Sequence, residues 1–135
     1  MKRRTFKLPD DTLETILGWS REVFEEELPQ NLALPLELAF EEAIVNIVSY
    51  AYPDKKGSID VEVTIEKGKV AQVTLVDSGI PFDPTKQRPK IPDQNVPASE
   101  REIGGLGIAL IHELMDQIEY ERMGNANCLK FSKAI

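Results

Sequence analysis

Residues 58 to 77 constrain the fold most. Ser58-Ile59-Asp60-Val61-Glu62-Val63-Thr64-Ile65-Glu66 alternates polar and apolar side chains, Lys67-Gly68-Lys69 follows, and residues 70–77 resume an extended pattern. Successive strand side chains point to opposite sheet faces, so strict alternation marks a strand with one covered and one wet face; a glycine-centred turn between two such runs marks a hairpin. Upstream, Leu13, Ile16, Leu17, Val23, Phe24 and Leu28 fall at helical spacing over residues 11–28, with Asp11 and Glu14 set as a capping box. A second stripe, Leu36, Phe40, Ala43, Ile44, Ile47 and Val48, predicts a helix over 35–51 with Pro35 in its first turn and Pro53, Asp54 and Gly57 past its end.

Beyond Asp77 the pattern breaks. Pro81, Pro84, Pro89, Pro92 and Pro97 exclude a continuous helix, leaving about twenty irregular residues; loops this long in compact domains tend to be functional or mobile, and residues 83–103 are read as a lid. A third helix is expected over 105–116, then strands near 118–122 and 128–133 around Gly124 and Asn125. The 135 residues, 41% of them hydrophobic, suit one domain with one core.

A formal charge of −7 argues against charge-driven nucleic-acid binding, which needs clustered Lys and Arg. Basic residues gather only locally, at Lys86, Arg88 and Lys90. The one cysteine, Cys128, has no internal disulfide partner and is expected to be a small buried strand residue. Met1-Lys2-Arg3-Arg4 leads into no apolar run long enough for a signal peptide or membrane span, so a cytoplasmic protein without membrane contact is expected.

Three polar constellations carry chemistry. Glu42 and Asn46 lie four apart on the second helix, on one face that differs from the apolar stripe, and can meet a single ligand. An amide oxygen suits Mg²⁺, and a nearby carboxylate can accept a proton from an attacking hydroxyl or water. Asp77 continues the phase of Ala71, Val73 and Leu75, which aims its carboxylate toward the covered face, where it needs a donor. The amino group of adenine is such a donor, whereas guanine would set a carbonyl oxygen against it. Gly79 would let the backbone pass close to a base. Gly104, Gly105 and Gly107 stand where a loop enters a helix, so free backbone N–H groups and the helix dipole make an anion site suited to triphosphate. No Gly-Lys-Ser/Thr follows as in a Walker A loop, and no strand leads in as in a dinucleotide fingerprint. Lys86, Arg88 and Arg101 could add phosphate contacts. Alone, each constellation is an ordinary helix face, turn or loop; their order gives them meaning. His112 has no triad or zinc partners in the pattern, and Trp19, out of phase with its helix's stripe, is assigned to a partner surface.

Taken together, Glu42-x-x-x-Asn46, Asp77-x-Gly79 with Pro81-Phe82-Asp83-Pro84, and Gly105-x-Gly107 resemble the asparagine and glycine boxes of the GHKL (Bergerat-fold) ATPases. Ala51-Tyr52-Pro53 and Gly-Gly-Leu-Gly-Ile-Ala-Leu-Ile bring the chain closest to the small bacterial anti-sigma factor serine kinases. The absence of a dimerisation and phosphoacceptor histidine helix argues against a complete sensor histidine kinase.

The resemblance implies an α+β two-layer sandwich with helices on one face of a mixed β-sheet, and ATP held between the second helix, the lid and the sheet. It implies Glu42 as general base, Asn46 as Mg²⁺ ligand, Asp77 as the adenine-binding carboxylate, and Gly79, Phe82, Gly104, Gly105, Leu106 and Gly107 as nucleotide-loop positions. It further implies a homodimer that phosphorylates a serine on an anti-anti-sigma (STAS) partner and can sequester a sigma factor. The alternatives are a nucleotide-binding regulatory module without kinase activity, or a plain ATPase. The chain departs from the family where Asn127 and Cys128 stand in place of a frequent threonine near adenine, and where Tyr50 replaces a frequent histidine.

Overall fold

The computed structural model describes residues 1–83 and 105–135, residues 105–108 by backbone alone. Of the expected lid only Asp83 is described; Gly104, Lys86, Arg88, Lys90 and Arg101 lie outside the described residues. The elements run β1 (Lys2–Leu8), α1 (Leu13–Glu27), α2 (Gln30–Asn46), a π-helical turn (Ile47–Ala51), β2 (Gly57–Glu66), β3 (Val70–Asp77), α3 (Gly105–Leu114), β4 (Gln117–Met123) and β5 (Ala126–Ala134).

The sheet order is β1-β2-β3-β5-β4. Alternation does what the sequence demands: Ile59, Val61 and Val63 on β2, Ala71, Val73 and Leu75 on β3, and Leu129 and Phe131 on β5 are buried in one cluster with the helices, while Asp60, Thr74 and Lys130 lie on the opposite, wetter face. This is the expected two-layer sandwich. The sheet is not mixed, however: every neighbouring pair is antiparallel. β3 and β4 run in the same direction, but β5 folds back from its hairpin with β4 and inserts between them, so they do not pair.

Four local expectations are corrected. β1 was not foreseen, because Lys2, Arg3, Arg4 and Lys7 hide a strand in which only Phe6 and Leu8 are buried. It is held as an edge strand on β2, where Arg3 meets Glu62 at 2.6 Å and Thr5 meets Asp60 at 2.6 Å; charged side chains suit such an edge. The cap of α1 is Thr12, whose hydroxyl accepts from the Thr15 N–H at 3.2 Å; Asp11 instead accepts from the Lys7 N–H at 2.8 Å. The second helix starts at Gln30, because the Pro29 carbonyl takes up the N–H groups of Leu32 and Ala33, and this leaves Pro35 inside the helix. Trp19, assigned to a subunit or partner surface, packs against the core, its ring meeting Phe6 edge-on at 5.8 Å.

The two hairpin turns fall where the glycines predict, with Gly68 at φ 76° and Gly124 at φ 60°. Cys128 is half-buried, opposite Val76 on the outer sheet face, and burial pushes its thiol pKa up. Among the described residues no helix is long and apolar enough to cross a membrane.

Candidate functional site

The site begins where two buried rows change chemistry at the same level. On β3 the phase Ala71, Val73, Leu75 ends in Asp77; on β5 the phase Phe131, Leu129 ends in Asn127, and the register sets these two opposite each other. Asn46, at the end of α2, is the third polar side chain there. Asp77 is 5% exposed, Asn127 4% and Asn46 6%, so each needs an internal partner or a ligand. Burial also corrects the expected placement of Asn46 on a face apart from the apolar stripe.

Asp77 and Asn127 find partners. Oδ1 of Asp77 accepts from the Gly79 N–H and from Nδ2 of Asn127, both at 2.9 Å. Asn127 donates also to the Ile80 carbonyl at 2.8 Å and accepts from Arg122 at 3.1 Å, from the Phe82 N–H at 3.4 Å and from the Tyr120 hydroxyl. Arg122 in turn donates to the Gly79 carbonyl at 2.8 Å. Oδ1 of Asn46 is buried and has no hydrogen-bond partner among the described residues.

The π-helical turn brings the end of the second helix against the glycine segment. The Ala51 carbonyl accepts from the Ile80 N–H at 2.8 Å, and a Cβ on Gly79 would lie 2.3 Å from that carbonyl oxygen. Gly79 is thus required by close approach to Ala51, a reason for it beyond contact with a base. Tyr52 ties the same corner, accepting from the Ser78 N–H at 2.8 Å and donating to the Ser58 carbonyl. Tyr50, on the turn, and Phe82 stack with ring centroids 6.4 Å apart and planes 19° apart.

These groups line a small pocket that opens to solvent, its walls formed by Ala43, Asn46, Tyr50, Asp77, Phe82 and Asn127, with Ile111 of α3 closing one side. Asn46, Asp77 and Phe82 therefore share one cavity, with Gly79 bonded to its wall. Glu42 stands one turn earlier on α2, half-buried and off that wall; burial first, and Glu41 second, raise its pKa. Gly105, Leu106 and Gly107 form the first turn of α3, which packs on α2. His112 is exposed on α3.

Sequence reasoning gave Asn127 only as a departure from a family pattern and passed over Tyr120 and Arg122. The signal was present: Asn127 heads an apolar phase on β5 as Asp77 ends one on β3.

The buried polar pair on the sheet, the asparagine above it and the glycine segment beside them are accompanied by likeness to known proteins. A profile described as a histidine kinase-like ATPase domain matches residues 7–133. The serine-protein kinase RsbW of Listeria monocytogenes is 34% identical over 105 residues, covering 76% of this chain and 60% of that protein. The RsbW of Bacillus cereus is 31% identical over 86 residues, covering 62% of this chain and 53% of that one. The matched part thus spans a little more than half the length of these relatives. Among solved structures, the RsbU and RsbW domains from Mycobacterium tuberculosis match with a TM-score of 0.60 at 12% identity, over 98% of this chain and 32% of that one. A mycobacterial sensor histidine kinase, MprB, matches with a TM-score of 0.53 at 13% identity, over 97% of each chain. These two likenesses concern the fold.

Proposed function

The chain belongs to the histidine kinase-like ATPase family, and on that premise we propose that it is an ATP-dependent protein-serine kinase of the anti-sigma factor type. Its substrate in this reading is a serine hydroxyl on an anti-anti-sigma (STAS) protein, whose phosphorylation frees the kinase to hold a sigma factor. The names of the curated relatives support the protein-serine specificity. The observation that carries the reading is the shared cavity of Asn46 and Asp77, in which one buried oxygen lacks a partner among the described residues.

Asp77 receives the adenine amino group, and Phe82 covers the base. Asn46 Oδ1 fits a hard cation, since an orphaned amide oxygen in a buried wall is a suitable Mg²⁺ ligand when phosphates and waters complete the shell. Bound Mg²⁺ would offset charge on the transferring phosphoryl group. Glu42 accepts the serine proton as the serine oxygen bonds to the γ-phosphorus, the bond to the β-phosphate oxygen breaks, and ADP departs. The burial that raises its pKa makes it a stronger base than an exposed carboxylate. Gly105, Leu106 and Gly107 at the start of α3, and Gly104 before them in the sequence, hold the phosphates through backbone N–H groups.

Glu42→Gln is expected to lower phosphate transfer by on the order of 10²-fold or more while ATP affinity changes little. The check is calorimetry with Mg-ATP beside a transfer assay on the STAS partner; undiminished transfer would remove Glu42 from the chemistry. A second reading, a nucleotide-binding regulatory module without transfer, is favoured by one observation, the position of Glu42 off the cavity wall. Absence of phosphate on the partner when wild-type protein binds both ATP and partner would select it.

A further inference from the structure

Asn127 holds its place by bonds whose directions chemistry dictates. The Asp77 carboxylate and the Ile80 carbonyl can only accept; the Phe82 N–H and the Arg122 guanidinium can only donate. The amide therefore has one orientation, with Nδ2 toward Asp77 and Ile80 and Oδ1 toward Arg122, Phe82 and Tyr120. A flipped amide would set oxygen against carboxylate and NH₂ against guanidinium. Both Nδ2 protons are engaged, so Asn127 has no donor left for a ligand. Oδ1 of Asp77 is likewise engaged, by Gly79 and Asn127, which leaves Oδ2 as its acceptor for a base.

We propose that Asn127 is a positioning residue that sets base selectivity. It holds the Asp77 carboxylate as an acceptor with one oxygen presented to a 6-amino purine, and it binds that carboxylate to the backbone of residues 80–82. The residue that reads the base and the segment that carries Phe82 then form one hydrogen-bonded unit. Tyr120, which also lines the cavity, and Arg122 orient the amide by donating to its oxygen. This rests on the nucleotide reading of the cavity and adds to it the source of its selectivity.

The test compares binding of Mg-ATP and Mg-ITP, which differ at the purine 6-position, to wild-type protein and to Asn127→Asp. The substitution keeps the shape of the side chain and replaces the donor to Asp77 by a second carboxylate; carboxylates this close favour uptake of a proton, and a proton carried on Oδ2 of Asp77 can be donated to a 6-oxo group. The preference for ATP over ITP is expected to narrow by about tenfold or more in N127D, and to narrow further as pH is lowered. Asn127→Ala, which removes the donor without adding charge, is expected to narrow the preference too and provides the reading if N127D fails to fold, as judged by thermal melting. A folded variant that binds both nucleotides more weakly by the same factor, the result of a purely structural role, overturns the proposal, and so does an unchanged preference. Wild-type protein that binds neither nucleotide overturns the nucleotide reading itself, and this inference with it.

Discussion

Two regions of this protein are built from the same strands and the same helix and differ in kind. At mid-sheet, Phe40, Phe131, Val61 and Val73 are fully buried, and Phe24 meets Phe40 edge-on at 6.3 Å. At the far end of β3 and β5 the same phase delivers Asp77 and Asn127, and the same helix ends in Asn46. Period decides which way a side chain points; the chemistry of the residue then decides whether the place becomes core or site. The middle contributes stability by removing apolar surface from water. The end gives up that gain for polar groups that satisfy one another, except for the Asn46 oxygen, which has no partner among the described residues.

The largest expected effect lies in the middle. Phe40→Ala is expected to lower stability by about 3–5 kcal/mol in chemical denaturation, while the protein that remains folded binds ATP as before. If it lost nucleotide affinity without losing stability, the two regions would not be separable. Asp77→Asn inverts this pattern: the new amide oxygen can still accept from Gly79 and Asn127, but its NH₂ faces the base. ATP affinity is expected to fall by on the order of 100-fold with little change in melting temperature. Unchanged affinity by calorimetry would take Asp77 out of the site.

Gly79→Ala bridges the regions. Its new Cβ would meet the Ala51 carbonyl at 2.3 Å, and two backbone segments that are hydrogen-bonded to each other cannot part freely. A loss of about 2 kcal/mol is expected, together with weaker nucleotide binding, by denaturation and calorimetry on the same variant. The smallest effect concerns Glu37 on α2, whose Oε1 is buried without a partner. Burial, then the neighbouring Glu25, raise its pKa above 4.5, while Arg21 works the other way. A carboxyl whose folded pKa is raised favours the folded state below its unfolded pKa, and that contribution is lost as pH rises through the folded pKa. Glu37→Gln is therefore expected to stabilise the protein by about 0.5 kcal/mol at neutral pH and by less near pH 4, as read from melting curves at the two pH values. Equal gains at both would mean that Glu37 carries no such penalty.

Much of the fold was legible because its signals are local. The β2–β3 hairpin, α1, α3 and the last hairpin follow from alternation, helical spacing and glycine turns. β1 was not legible, since four charged residues mask a seven-residue strand whose partner, β2, with Glu62 against Arg3 and Asp60 against Thr5, lies far along the chain. Trp19 was misplaced because its partner Phe6 belongs to that same strand. At the cavity, the inward direction of Asp77 was legible from its phase, whereas the spacing of Asn46 to Glu42 set it on a face apart from the apolar stripe and did not show its burial. The inward direction of Asn127 could be read from the phase of its strand, but its pairing with Asp77 could not, because the two lie fifty residues apart.

The sequence by itself determined the kinds of element, the inward direction of Asp77, the positions of the hairpin turns and the family likeness, all of which are written over spans of a few residues or in motifs. Tertiary structure alone decided that β5 inserts between β3 and β4, that every pairing is antiparallel, that Asn46 is buried with an unpartnered oxygen, and that Glu42 stands off the cavity wall. The reason is that period fixes a side chain's direction relative to its own element, whereas its neighbours depend on how distant elements bury one another's apolar faces.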